Sequence, residues 1–171
     1  DVKDTEIEVV LDGELLGTAA LDNTVGATPY DNNGRASIDV PIPVSAGAGP
    51  ATVTLVGPDT GTEVIVPIVI KKAKPTVKGK KVTQVKGKAA KMKVTVTAPG
   101  VTPTGKVTIK FKKKVLGKGT LNANGVVTVK LAKNKLKVRK KAYKVVIRYL
   151  GSPTVAKGQA TAKVKVVKKK K

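Results

Sequence analysis

The sequence predicts an all-β chain made of two antiparallel β-sandwich modules. Apolar residues make up 40% of the chain and aromatic residues 2%, so the cores must come from Val, Ile, Leu and Ala. A core rich in β-branched residues favours strands. Apolar and polar residues also alternate at period two, and turn signals separate the alternating runs. A length of 171 residues accommodates two small domains of this kind.

The first module is predicted to contain five strands. Asp12-Gly13 favours the left-handed conformations of a tight hairpin turn between the first two. Pro41, Pro43 and Pro67 cannot donate to a strand ladder, so their strands should lie at sheet edges or break there. Asp22–Gly34 shows no periodicity and is expected to form a long loop. The predicted strands are Thr5–Leu11, Glu14–Leu21, Arg35–Ile42, Ala51–Gly57 and Thr62–Ile70.

In the second module, lysines alternate with apolar residues, which places the lysines on the solvent face of each strand. About six or seven short strands are expected, too many to leave room for a long helix. Asn124-Gly125 predicts a tight hairpin turn. Phe111, Tyr143 and Tyr149 fall on the apolar side of their strands and are expected in the core. The clearest alternating runs are Lys91–Thr97, Lys106–Phe111, Val127–Leu131, Tyr143–Tyr149 and Ala162–Val166.

A local pattern occurs once in each module. The segments LDGELLGTAAL and FKKKVLGKGTL both read as a hairpin whose second arm carries Leu-Gly followed by Leu. The pairs are Leu16-Gly17 and Leu116-Gly117, which predicts an internal repeat with a period of about 100 residues.

The charge changes sign near residue 70. All 11 acidic residues lie between Asp1 and Glu63 with only two basic ones, whereas the rest of the chain carries 32 Lys or Arg and no acid. We therefore predict an acidic module at 1–70, a basic linker at 71–75, a basic module at 76–167 and a polylysine tail at 168–171. Lysine often serves only to solvate a surface, but such surfaces usually mix both signs. A module without acids attracts polyanions.

Missing residue types exclude several function classes. The chain has no Cys, His or Trp, which removes disulfides, the usual general base and the commonest metal ligands. No enzyme activity, metal or cofactor is expected. Oxygen ligands for calcium are present in one loop, but their spacing favours ordinary turns; they are Asp22, Asp31, Asn32 and Asn33. No stretch approaches the roughly 20 apolar residues of a membrane span. The start resembles neither an initiator methionine nor a signal peptide, so a processed piece is expected.

The basic module is predicted to bind an anionic envelope polymer or nucleic acid non-specifically. Two arginines follow residue 70, so bidentate reading of bases is not expected. The candidate polyanion-binding residues are Lys112, Lys113, Lys114, Lys133, Lys135, Lys137, Arg139, Lys140, Lys141, Lys168, Lys169, Lys170 and Lys171.

Two segments, Pro103–Leu131 and Ala142–Val166, resemble the bacterial Ig-like repeats found in tandem on actinobacterial exported proteins. The resemblance implies immunoglobulin-like sandwiches and a secreted or cell-surface location. Lys112–Lys114 replaces an Asp/Gly-rich turn of that family, and Gly151-Ser152 replaces a step that often carries an acid, so no calcium role is expected. The matching residues are Pro103, Gly105, Leu116, Gly117, Leu121, Tyr149 and Gly151.

The first module is similar to the Ig-like segment that follows the catalytic domain of actinobacterial secreted 5′-nucleotidases and related metallophosphoesterases. That resemblance implies a hydrolase as the parent protein and a non-catalytic, adhesive tail as the role of this chain. Two alternatives stay open: a module that captures polyanions for a phosphoesterase, and a plain spacer. Opposite charges also predict contact between acidic and basic modules, while the chain itself is expected to be a monomer.

Overall fold

The computed structural model describes residues 5–21 and 38–169, and the chain divides into unit 1, Asp1–Lys71, and unit 2, Lys72–Lys171. The predicted fold class is confirmed: the chain is all-β, its sheets are antiparallel apart from one strand pair, and it is consistent with tandem β-sandwich domains. A single 3₁₀ turn, Val44–Ala46, is the only helical segment in the described ranges. The strands are β1 Glu6–Leu11, β2 Glu14–Ala20, β3 Gly49–Gly57, β4 Thr62–Ile70, β5 Thr76–Gly79, β6 Val82–Val85, β7 Ala90–Thr97, β8 Lys106–Phe111, β9 Lys114–Thr120, β10 Val126–Leu131, β11 Tyr143–Tyr149 and β12 Gly158–Val167.

The described residues of unit 1 form one antiparallel sheet of order β2-β1-β3-β4. Asp12 and Gly13 turn the first hairpin with φ values of 46° and 88°, as the dipeptide predicts. Thr52 in β3 donates its N–H to Asp12 Oδ1 at 2.9 Å and accepts from Asp12 N at 3.0 Å. The backbone N–H and C=O of Thr52 therefore point away from β4. Pro67 in β4 pairs with Thr52, so no hydrogen bond of the β3–β4 ladder requires an N–H at Pro67. The prediction that Pro67 lies in an edge strand is confirmed.

One predicted strand of unit 1 is wrong. Residues 38–42 of the expected Arg35–Ile42 strand form no ladder, and residues 35–37 lie outside the described ranges, as does the predicted loop Asp22–Gly34. Pro41 and Pro43 remove donors at alternate positions, so a paired strand could not use that edge. Ile38 and Val40 instead pack by side chain, each with a carbon 3.4 Å from the place where a Cβ on Gly17 would lie.

Unit 2 is a sandwich of two sheets around an aliphatic core. The three-stranded sheet has the order β10-β7-β5, and the five-stranded sheet has the order β6-β12-β11-β8-β9. The apolar phase of each alternating run points inward and the lysine phase points to solvent, as predicted. Residues with fully buried side chains include Met92, Val94, Val96, Val107, Ile109, Val129, Val145, Ile147 and Val164.

Unit 2 also holds two strands that the alternation did not reveal. β5 and β6 are four residues long and contain Thr, Lys, Gly and Gln, which leaves too few apolar positions for a periodic signal. β6 joins the edge of β12 in parallel. Its Gln84 is buried and donates Nε2 to the carbonyls of Lys88 and Ala132, at 3.0 and 3.1 Å.

The Asn124-Gly125 prediction needs a correction. A tight turn is present, with Gly125 at φ 67° and the Asn122 side chain accepting from Val126 N at 3.0 Å. However, this turn joins β9 to β10, which belong to different sheets, so it is not a hairpin. Away from the turn, β9 and β10 still pack closely, since a Cβ on Gly117 would lie 2.5 Å from the carbonyl oxygen of Lys130.

The internal repeat is confirmed by the backbone. Both hairpins carry a bulge, between Val9 and Val10 in one and between Ile109 and Lys110 in the other. The first turn residue has a positive φ in each: 46° at Asp12 and 52° at Lys112. The sheet order β2-β1-β3-β4 of unit 1 also matches β9-β8-β11-β12 of unit 2.

Candidate functional site

The loops at one end of unit 2 carry a dense group of cations. β11 begins beside the end of β8, and Tyr143 in β11 pairs with Val164 near the end of β12. β6 ends beside Val167, so the β6–β7 turn, the β8–β9 turn, the β10–β11 loop and the C-terminal tail share this end. We call it the basic end. Its cationic residues are Lys86, Lys88, Lys112, Lys113, Lys114, Lys133, Lys135, Lys137, Arg139, Lys140, Lys141, Lys168 and Lys169.

The opposite end of unit 2 is poor in charge. Its connections at 98–105, 121–125 and 150–157 contain a single lysine, Lys157. Lys72 and Lys74 precede β5 at the same end, where Ala73 N donates to Thr154 O at 2.9 Å. The chain therefore enters unit 2 at the lysine-poor end and leaves it at the basic end. Composition alone does not reveal this polarity, because it depends on the strand order.

Two predicted lysine groups, far apart in sequence, face each other across a cleft at the basic end. The β8–β9 turn contributes Lys112–Lys114, and the β10–β11 loop contributes Lys135 and Lys137. The cleft has a volume of about 530 Å³, and Phe111, Leu136 and Tyr143 line its floor. We call this the lysine cleft. Its cationic rim and apolar floor distinguish it from the evenly spaced lysines on the strand faces.

The floor of the lysine cleft is held together by aromatic contacts. The rings of Phe111 and Tyr143 meet edge to face, with centroids 4.9 Å apart and an interplanar angle of 81°. Tyr143 is 7% exposed and Phe111 is half-buried. The Tyr143 hydroxyl donates to the carbonyl of Lys137 at 2.9 Å, which ties the β10–β11 loop to β11. Of the predicted core aromatics, Tyr143 and Tyr149 are buried, and Phe111 is only partly so.

Arg139 braces the loop and has part of its donor capacity occupied. Its guanidinium carbon lies 3.6 Å from the centroid of the Tyr143 ring, a cation–π distance. Its Nε and Nη2 donate to the carbonyls of Lys141 and Ala142, both at 2.9 Å. Two donors of this predicted anion ligand are therefore committed to the protein backbone. On Phe111, the Lys112 ammonium lies 5.9 Å from the ring centroid.

The other predicted residues that the structure describes lie at the basic end but outside the lysine cleft. Lys133 is exposed before the β10–β11 turn, and the carbonyl of Lys140 accepts a hydrogen bond from the Lys165 ammonium. Lys168 and Lys169 are exposed after β12, while Lys170 and Lys171 lie outside the described residues. Since no acidic side chain follows Glu63 in the sequence, none within unit 2 can neutralise these lysines.

Other site types find little support in the described ranges. No group of three or more His, Cys, Asp or Glu side chains that could hold a metal occurs there. The oxygen-ligand candidates Asp22, Asp31, Asn32 and Asn33 fall outside those ranges. No helix in the described part of the chain has the length and apolarity to cross a membrane.

The two-sheet fold of unit 2 is that of a domain of the immunoglobulin-like class. The family model described as bacterial Ig-like domain (group 3) matches residues 76–167. The chain belongs to this family. Ig-like domains are generally non-catalytic, so membership supports an accessory or structural role for these residues. Domains of this family are often extracellular.

Solved structures similar to the chain include tandem Ig domains. A titin Ig tandem is 16% identical over 95% of this chain and 82% of its own, with a TM-score of 0.38. Three N-terminal domains of the bacteriophage RB49 highly immunogenic outer capsid protein are 13% identical over 96% of this chain and 49% of their own, with a TM-score of 0.41. Domains 4 and 5 of the S-layer protein SbsC are 15% identical over 97% of this chain and 100% of their own, with a TM-score of 0.36. No curated protein matches the chain.

Proposed function

We propose that the chain is a non-catalytic accessory segment of an exported bacterial protein and that unit 2 attaches this protein to an anionic polymer of the cell envelope. The observation that carries the proposal is the convergence of the lysine-rich loops at the basic end. A polymer that contacts this end meets many ammonium groups, and unit 2 has no Asp or Glu side chain to compete for them. Each contact with a polymer phosphate would release counterions, which is the main source of affinity in such binding.

The position of the basic end suits attachment. The chain enters unit 2 at the lysine-poor end, beside the pairing of Ala73 with Val155. The basic loops lie about one strand length away, at the other end of unit 2. Lys168 and Lys169 extend the same surface beyond β12. An anionic polymer can therefore reach the loops and the tail together.

The identity of the parent protein is a further part of the proposal. The similarity of unit 1 to segments that follow secreted 5′-nucleotidases supports a hydrolase of that type as the parent. Unit 2 would then hold the enzyme at the envelope. Deleting residues 72–171 from the full-length parent should release it from the cell surface and leave its turnover of a small substrate unchanged.

Nucleic-acid capture is the second candidate, and the aromatic residues argue for ranking it lower. Binding of single strands normally uses exposed aromatic rings on which bases stack. Tyr143 and Tyr149 are buried, so the half-buried ring of Phe111 is the one aromatic surface that unit 2 offers, too little for stacking of successive bases. The lysines could still attract nucleic acid through its phosphates. A polymer that lacks bases needs no stacking surface and can bind through its phosphates alone.

Graded-salt binding tests the proposal. The full chain should be retained at 50 mM NaCl on immobilised poly(glycerol phosphate), and six to ten contacts would lower its affinity by about 10³-fold or more at 200 mM. Competition with single-stranded DNA of equal charge ranks the two candidates, and stronger competition by DNA would favour capture. A chain that passes through all anionic resins at low salt would overturn attachment and support a spacer.

A further inference from the structure

We infer that the lysine cleft is a discrete binding site for one ring-bearing anionic unit, a sugar that carries a phosphate or a carboxylate group. The inference rests on the proposed attachment function and deepens it, because it assigns specific recognition to one place on the basic end. General attraction needs only charge. A discrete site also needs shape, an apolar surface and fixed geometry, and the lysine cleft provides all three.

The size of the lysine cleft fits a single small unit. Small-molecule sites usually have volumes of about 300 to 1,000 Å³. The volume of about 530 Å³ falls within that range. A flat array of lysines would follow a polymer chain without enclosing any one unit of it.

Alternation in the β10–β11 loop separates the rim from the floor. Leu136 is 8% exposed, whereas its neighbours Lys135 and Lys137 are exposed. The leucine therefore faces inward while both ammonium groups stay at the surface. Across the cleft, Lys112–Lys114 is exposed above the half-buried ring of Phe111. An occupant would meet cations at its edges and carbon atoms beneath.

This distribution favours a particular ligand chemistry. Inorganic phosphate, or a linear phosphodiester without rings, can use the rim but has no apolar face to place on Phe111 and Leu136. A pyranose has C–H groups on its faces and can lie against an aromatic or aliphatic floor. A phosphate or carboxylate on that ring can then accept hydrogen bonds from the lysines, and charge-assisted bonds of this kind are about twice as strong as neutral ones.

The walls are held in place before any ligand arrives. The Tyr143 hydroxyl donates a hydrogen bond to Lys137 O. The guanidinium of Arg139 lies over the Tyr143 ring and donates hydrogen bonds to the carbonyls of Lys141 and Ala142. Asn134 starts the loop turn with φ of 61°, a conformation that Asn tolerates. Because the loop is already ordered, binding need not order it, and the affinity for a small ligand rises accordingly.

A pair of charge-matched variants separates the lysine cleft from general charge. The rim variant is Lys112→Gln/Lys113→Gln/Lys114→Gln. The control is Lys91→Gln/Lys93→Gln/Lys130→Gln, which removes three exposed lysines from β7 and β10, where Lys91 pairs with Lys130. Both variants lose the same charge and alter no buried side chain. The probes are glucose 1-phosphate, glucuronate and inorganic phosphate. Their binding is measured from the amide chemical shifts of the full chain.

Glucose 1-phosphate or glucuronate should shift the amides of Phe111, Leu136 and Tyr143 saturably and bind about tenfold more tightly than inorganic phosphate. The two sugars distinguish phosphate from carboxylate as the preferred group. The rim variant should lose about tenfold in sugar affinity and the control less than about twofold. Phe111→Leu should weaken sugar binding and leave inorganic phosphate binding unchanged.

Equal losses in the rim and control variants would overturn the discrete site, and so would equal affinities for the sugars and inorganic phosphate. Retention of the wild-type chain on poly(glycerol phosphate) is measured in parallel. If retention persists while sugar selectivity is absent, the lysine cleft proposal fails and attachment stands. If retention is absent as well, both proposals fail.

Discussion

The β1–β2 and β8–β9 hairpins have nearly the same backbone but opposite turn chemistry. Each contains a bulge, a Leu-Gly step in its second arm and a first turn residue with positive φ. In unit 1 the Asp12 side chain is exposed and reaches across to β3, where it accepts a hydrogen bond from Thr52 N. In unit 2 the Lys112 side chain stays exposed and borders the lysine cleft. The two hairpins therefore share a backbone conformation, while their turn side chains and their packing differ.

The two sheets that contain these hairpins differ in how they are covered. The strand order places β4 of unit 1 at the position of β12 in unit 2. Val164 and Val166 of β12 are buried, and β6 pairs with the edge of that strand. In the described part of unit 1, Val64, Ile65 and Val69 of β4 are 53%, 65% and 69% exposed. Equivalent strands therefore contribute differently to stability, because burial of apolar area supplies most of it.

The largest difference between the hairpins is expected at the glycine of the Leu-Gly step. A Cβ on Gly117 would lie 2.5 Å from Lys130 O and 2.7 Å from a Val129 methyl, so Gly117→Ala must separate two packed sheets. We expect it to lower the free energy of unfolding of unit 2 by about 3 kcal/mol. Urea unfolding followed by tyrosine fluorescence measures this, since Tyr143 and Tyr149 are buried in unit 2.

Gly17→Ala is the matched change in unit 1. A Cβ at position 17 would lie 3.4 Å from Ile38 Cδ1 and from Val40 Cγ1, an ordinary van der Waals distance. We expect the free energy of unfolding to change by less than about 0.5 kcal/mol, measured by circular dichroism in urea. Similar losses at Gly17 and Gly117 would show that the two hairpins are packed alike, contrary to the comparison.

An intermediate effect is expected at Tyr149. Its hydroxyl donates to Thr104 O at 2.7 Å across the end of unit 2. By strand register the corresponding residue of β3 is Gly57, which cannot make such a bond. Tyr149→Phe should lower the free energy of unfolding of unit 2 by about 1 kcal/mol, measured from the urea midpoint by circular dichroism. An unchanged midpoint would mean that water replaces the tyrosine hydroxyl at no cost.

The smallest effect is expected at the first turn residue. Asn tolerates positive φ better than Lys, so Lys112→Asn should raise the stability of unit 2 by about 0.5 kcal/mol. Asp12→Asn retains both a tolerant residue and a side-chain acceptor for Thr52 N, so we expect almost no change. Thermal unfolding of both variants by calorimetry tests this pair. Destabilisation by Lys112→Asn would indicate that the contact between Lys112 and Phe111 outweighs the backbone strain.

Much of the fold was predictable because its signals are local. The alternation of Val and Lys located β7, β8, β10, β11 and β12. It failed for residues 38–42, where prolines interrupt an otherwise periodic run, and it missed β5 and β6, which are too short to show a period. Asn124-Gly125 predicted a turn correctly but not its partners, since a turn dipeptide carries no information about which sheet follows.

The candidate site was predictable only as a set of residues. The lysine runs are visible in the sequence, but Arg139 could not be assigned to bracing the loop, because its partners depend on how that loop folds back over Tyr143. One available signal was overlooked. Leu136 stands between Lys135 and Lys137, and Val138 continues the alternation, a pattern that predicts apolar side chains turned inward and lysines turned outward.

Local sequence features are sufficient to predict the all-β class, the two oppositely charged segments, the solvent-facing lysines and the repeated hairpin. These follow from periodicity, composition and short motifs, which act over a few residues. The tertiary structure alone decided that the basic loops gather at one end and that Lys112–Lys114 faces Lys135 and Lys137 across an apolar floor. The physical reason is that this meeting depends on strand order and direction, which arise from pairing between residues far apart in the chain.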